Sequence, residues 1–175
     1  MIELSGDSGE YEFLTEAVQL SANVEGMCVE IGLRRGLGTK TIIDAVRQYC
    51  PNKTVISIDP YGSIPYIGRE HMGACRLDYT NNMKAECMSA MWEYVLKNPV
   101  SYKYFDMTDD EFFDRFGDYV PVYELECGVE SMYSMVHLDG VHTIAVVSKE
   151  VLWFKIVQKS YTSLNLDLKC KPVSV

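Results

Sequence analysis

Residues 29–39 read VEIGLRRGLGT, and residues 55–62 read VISIDPYG. In the first stretch an apolar run reaches a glutamate, and Gly32, Gly36 and Gly38 follow closely. Glycine loses more backbone freedom on folding than any other residue, so such a cluster marks a place where something approaches the main chain. The simplest reading is a strand ending near Glu30, a turn through the glycines and a helix starting near Leu37. Two uses of that turn fit equally well. It is either a ligand-free passage from strand to helix or a cradle for a nucleotide-type cofactor at the head of a parallel sheet.

Outward from this turn, hydrophobic patterning alternates short strands with longer helices. Residues 9–22 place Phe13, Leu14, Ala17, Val18 and Leu20 on roughly one face, which predicts a leading helix. Residues 27–31 (MCVEI) have the continuous apolar character of a strand buried on both faces. Ile42, Ile43, Val46 and Tyr49 recur at helical spacing until Pro51. TVISI at 54–58 and VSYKYF at 100–105 read as strands, and the segment at 81–97, stopped by Asn98-Pro99, reads as a helix. The acidic segment at 108–116, TDDEFFDRF, predicts a helix capped by Thr108. YSMVHL at 133–138 predicts a strand, and 143–158 a helix with Val146, Val147, Val151, Leu152 and Phe154 inward. The alternation of residues 161–168 predicts a last strand. Alternating strands and helices give an α/β fold, Rossmann-like and doubly wound, with a mostly parallel sheet and helices on both faces. No repeat or linker divides the 175 residues, so a single domain is expected.

Composition narrows the function. A net charge of −9 provides no basic footprint for nucleic acid and disfavours an anionic membrane surface. No apolar run is long enough to span a bilayer, and the acidic N-terminus lacks the features of a signal peptide, so a cytoplasmic protein is expected. Cys28, Cys50, Cys75, Cys87, Cys127 and Cys170 are scattered without a CxxC pair, which predicts reduced, structural thiols. Nucleic acid and membrane are thus not expected as partners, and the sequence leaves homo-oligomerisation open.

In doubly wound sheets, ligands lie beyond the carboxyl ends of the strands, so chemistry is sought there. The turn has the spacing E-x-G-x-x-x-G-x-G over Glu30, Gly32, Gly36 and Gly38. It lacks the G-x-G-x-x-G of dinucleotide binders and resembles the first motif of class I S-adenosylmethionine-dependent methyltransferases. In that family the glycines let the backbone pass close to the methionine part of the cofactor, and the acidic residue organises that end of the pocket. Asp59 ends the second strand, 21 residues beyond Gly38, where a carboxylate can accept both hydroxyls of a ribose or cap the turn before Pro60. The resemblance makes Asp106, after the third strand, a contact for adenine. The acidic residues Asp109 and Asp110 next to it also suit a first helical turn.

After the fourth strand comes VHLDGVHT at residues 136–143. Its D-G-x-H tetrapeptide, ending at His142, resembles macrolide-sugar and other small-molecule O-methyltransferases. It is also similar to catechol-type enzymes, in which the equivalent of Asp139 binds a divalent metal and a lysine three residues later is the base. The resemblance thus implies His142 as general base and Asp139 as a ligand for Mg2+ or an orienting group for the acceptor. Segment 60–82 carries Tyr61, Tyr66, Tyr79, Arg69 and His71 and suits either a substrate lid or a surface excursion.

The resemblance is strongest over residues 25–155. Beyond that, Asn165 and Asp167 stand in place of the paired metal-binding carboxylates of metal-dependent relatives. Only seven residues follow Leu168, too few for the usual last hairpin, so the C-terminal strands are expected to be incomplete. The expected function is S-adenosylmethionine-dependent O-methylation of a sugar or aromatic hydroxyl. A non-catalytic cofactor-binding protein and an NAD-dependent oxidoreductase are the alternatives.

Overall fold

A computed structural model describes residues 3–6, 9, 11–62, 80–117, 119–122, 129–140 and 143–164, with side chains described as far as Lys155. The chain runs α1 (Glu12–Leu20), β1 (Met27–Ile31), α2 (Leu37–Tyr49), β2 (Val55–Ile58), α3 (Asn81–Lys97), β3 (Tyr102–Phe105) and α4 (Asp109–Phe116). It continues through β4 (Val120–Pro121), β5 (Val129–Glu130), β6 (Tyr133–Leu138) and α5 (Ile144–Leu164). Strands β3-β2-β1-β6 form one parallel sheet in that order, and β4 pairs with β5 in a small antiparallel ladder. This is a Rossmann-like α/β architecture. The connections leave β1 toward β2 on one side and β6 flanks it on the other, so the strand order reverses at the β1–β6 boundary.

Register sorts the strands into rows. Tyr102, Val55, Cys28 and Met135 lie side by side on one face. They join a core with Leu14 and Val18 of α1, Ile42, Ile43 and Val46 of α2, and Met83, Cys87 and Met91 of α3. The next row, with Ile56, Val29 and Val136, points the opposite way, into a core with Phe112 and Phe113 of α4 and Phe154 of α5. Helices therefore cover both faces, as expected from burying a parallel sheet.

One irregularity sets the alignment of β6. Met27 pairs with Tyr133, but Cys28 pairs with Met135, leaving Ser134 as an extra residue. The Ser134 hydroxyl lies 3.1 Å from the carbonyl oxygens of both Gly26 and Met27, which seats the bulge. A one-residue slip exchanges the faces of a strand. The bulge thus places His137, rather than Val136, opposite Glu30.

Helix α4 starts as expected at Thr108, through a capping box in which Thr108 and Glu111 satisfy each other's backbone amides. Three expectations need correction. Phe13 and Leu20 do not share the buried face of α1, which consists of Leu14 and Val18; they are exposed. Val151 and Leu152 are likewise exposed on α5, and Glu150 and Phe154 are the buried pair, one helical turn apart. Residues 161–164 belong to α5 rather than to a strand, because a short alternating run is also compatible with a helix; residues 165–168 lie outside the described residues. Cys28, Cys50 and Cys87 are free, buried thiols. Among the described residues no helix is long and apolar enough to cross a membrane.

Phe112 is fully buried, and its ring meets those of Phe105, Phe116 and Trp153. Truncating it removes the centre of that cluster. Phe112→Ala is expected to lower the unfolding free energy by roughly 3–5 kcal/mol in denaturant titrations.

Candidate functional site

The third register row behaves unlike the others. Tyr104, Ser57, Glu30 and His137 stand side by side on the α2 side of the sheet, near the carboxyl ends of all four strands. Here a polar row lies under a helix. Thr39, in the first turn of α2, donates a hydrogen bond to Glu30 Oε2, and its hydroxyl lies 2.6 Å from Ser57 Oγ. His137 Nδ1 lies 3.0 Å from Glu30 Oε1. Glu30 is only 1 % exposed, so its carboxylate depends on these partners in place of water.

The three glycines can now be explained one by one. Gly32 has φ +99°, and a Cβ there would lie 2.2 Å from the Asp139 carbonyl oxygen at the end of β6. Gly36 has φ +83° at the N-cap of α2, hemmed in by Leu4, Met91 and Cys87. Gly38 sits directly over Glu30, where a Cβ would come within 2.0 Å of Oε1. Each approach is made by the protein itself. Residues 3–6 also run along the turn, with Ser5 bridged to Gly36 and Leu37 N donating to Ser5 O.

Charge in this row is coupled. Burial works against the imidazolium of His137, but the carboxylates of Glu30 and Asp139 outweigh it and raise its pKa above that of an ordinary imidazole. Burial also raises the Glu30 carboxyl, against the opposing hydrogen bonds from His137 and Thr39. The pair therefore keeps its proton to a higher pH than either group would in water. Asp139 completes the group: Glu30, His137 and Asp139 each offer a ligand atom within 4.8 Å of the others.

Asp59 has a well-defined environment. It is 0 % exposed, and its two carboxylate oxygens accept from Arg34 N at 2.9 Å and Tyr61 N at 3.0 Å. Tyr61 in turn donates its hydroxyl proton to the Arg34 carbonyl, and Tyr104 donates to the Asp59 carbonyl at 2.7 Å. Asp59 thus joins the end of β2 to the glycine turn. Asp106, beyond β3, is half-exposed and ion-paired with Lys84 of α3. The structure brings Glu30, Gly32, Gly38 and Asp139 together, joins Asp59 to the turn through Arg34, and connects Asp106 to Asp59 through Tyr104, whose hydroxyl lies 3.4 Å from Asp106 Oδ1 and donates to the Asp59 carbonyl. His142, His71, Asn165 and Asp167 lie outside the described residues, as does most of segment 60–82.

Two residues were not anticipated. His137 reads in sequence as part of an apolar strand, and only its pairing with Glu30 distinguishes it. Glu150 reads as a polar position of α5 but is 2 % exposed, with Oε1 4.0 Å from where a Cβ on Gly140 would stand. Burial, with the nearby charges of Asp109 and Asp110, raises its carboxyl to about 7. A charged residue within the expected inward stripe of α5 was the available signal. Compared with known proteins, the chain matches no protein-family model and no curated protein.

Removing the Asp59 carboxylate takes the side-chain acceptor from two backbone N–H groups. Asp59→Ala should cost roughly 1–3 kcal/mol for each amide left unsatisfied, measured by chemical unfolding. Asp59→Asn should recover part of this loss, because its one amide oxygen still accepts.

Glu150 predicts a pH effect. Below about pH 4.5 its carboxyl is neutral in both folded and unfolded chains, whereas between that value and about 7 only the unfolded chain ionises. Its contribution to stability is therefore lost as pH rises through this window. Glu150→Gln should remove that slope and be more stable than the parent at pH 8 by roughly 1–3 kcal/mol. Unfolding curves of the two proteins from pH 4 to pH 8 provide the comparison.

Proposed function

We propose that this protein binds S-adenosylmethionine at the carboxyl ends of β1 and β2 and methylates the hydroxyl of a small molecule. The observation that carries the reading is the bond from Asp59 to the Arg34 amide, which unites the β2 carboxylate with the glycine turn beside the strand-order switch. Glu30 lies under the same turn, at Gly38. The donor set suits the cofactor. A carboxylate is an acceptor only, as both hydroxyls of a ribose diol require. Tyr61 now spans from Asp59 to Arg34, so contact with a diol calls for Tyr61 to move.

In this reading Glu30, Gly32, Gly36, Gly38 and Asp59 form the cofactor turn, and Asp106 contacts the adenine. The bound cofactor supplies an electrophilic methyl group. The protein's task is to hold the acceptor oxygen in line with that methyl and to remove its proton. His142 is the base, and Asp139 orients the acceptor or binds a metal.

Calorimetric titration with S-adenosylhomocysteine, and separately with NAD, tests the cofactor. Saturable binding of the first and none of the second is expected. The reverse result would replace the reading with a nicotinamide-binding one. Binding of S-adenosylhomocysteine without methyl transfer to any sugar or aromatic alcohol would favour a non-catalytic binder.

A further inference from the structure

Glu30, His137 and Asp139 come from the ends of two adjacent strands, on either side of the strand-order switch. We propose that these three side chains form a binding site for a divalent transition-metal ion of the zinc or manganese class, with Glu30 Oε1, a ring nitrogen of His137 and a carboxylate oxygen of Asp139 as ligands. The proposal does not depend on the cofactor.

The spacing fits. Ligand atoms about 2.1 Å from a common ion lie roughly 3.0–3.5 Å apart. Glu30 Oε1 and His137 Nδ1 are already 3.0 Å apart, and all three ligand atoms fall within 4.8 Å of one another. The Ser134 bulge creates this pairing, since without it an apolar Val136 would face Glu30. Glycine at position 38 lets Glu30 Oε1 lie here, because a Cβ would come within 2.0 Å of it.

The supporting shell is also present. Metal-binding carboxylates are usually held by further hydrogen bonds, which fix their orientation. Glu30 has such support, because Oε2 takes the Thr39 proton and Thr39 meets Ser57 at 2.6 Å. Among the described residues, neither Lys nor Arg is a hydrogen-bond partner of this buried carboxylate. A divalent ion would balance the charges of the two carboxylates.

The ligand set selects the ion. An imidazole among carboxylates suits zinc, manganese, iron or cobalt, whereas magnesium and calcium prefer oxygen alone. Cysteine is a poor competitor here. Cys28 lies one residue pair back on the same strand face, but its sulfur is 3.6 Å from Ser134 Oγ and is not part of the three-ligand group. Three protein ligands leave at least one coordination position for water or an acceptor oxygen.

Titrating the full chain with Co2+ and following its visible absorption tests the site without any S-adenosyl compound. Failure of the metal site is therefore distinguishable from failure of the cofactor reading. The expected result is saturable binding of a single ion, displaced by Zn2+, with affinity reduced about tenfold or more in both His137→Ala and Asp139→Asn. No saturable binding, or unchanged affinity in the two variants, overturns the proposal. X-ray absorption of the wild-type Zn2+ complex covers the case in which a variant fails to fold. Nitrogen and oxygen neighbours alone support the site, and sulfur in the first shell overturns it.

Discussion

The buried carboxylate of Glu30 is the constraint on which the centre of the molecule depends. An ionised carboxylate out of water is costly unless its lone pairs are met by good donors. Here the donors come from different parts of the chain. Thr39 arrives on the first turn of α2 and His137 arrives on β6. Meeting both requirements fixes where α2 begins, forces glycine at position 38 and specifies the register of β6. A polar row inside an otherwise apolar sheet thereby ties two strands and a helix to one another.

The carboxylate of Asp59 does related work at the neighbouring strand end, with backbone rather than side-chain donors. By accepting from Arg34 and Tyr61 it fastens the glycine turn to the end of β2. The two carboxylates hold the turn from below and from the side. Such a turn is well suited to present backbone to a ligand, because its own conformation is settled before anything binds. The same bonds explain why the glycines are required even without a ligand, since the approach at each is made by protein atoms.

The two faces of the sheet treat charge differently. On the α2 side, Glu30 is met by hydroxyls and an imidazole. On the opposite side, Glu150 packs close to Gly140, with Asp109 and Asp110 as its main charged neighbours. Burial raises both carboxyls, but the hydrogen bonds to Glu30 oppose the rise, whereas the charges around Glu150 add to it. Both lie near the β1–β6 boundary, where the sheet reverses its strand order.

Much of this was legible in the sequence. Local patterns placed β1, α2, α3 and β6, because a strand buried on both faces and an amphipathic helix each leave a periodic signature along a few residues. Strand ends rich in glycine and acid directed attention to Glu30, Gly32, Gly38, Asp59 and Asp139. The pairing of His137 with Glu30 was not legible, since it depends on one extra residue at Ser134 and on partners 107 positions apart in the chain. Nor was the burial of Glu150, or the exposure of Phe13, Leu20 and Leu152, because which face of a helix turns inward depends on what packs against it. The sequence by itself determined the order and kind of the elements, through backbone preference and hydrophobic period. Only the tertiary structure decided which polar groups meet, because register and packing are set by long-range contacts that no local window contains.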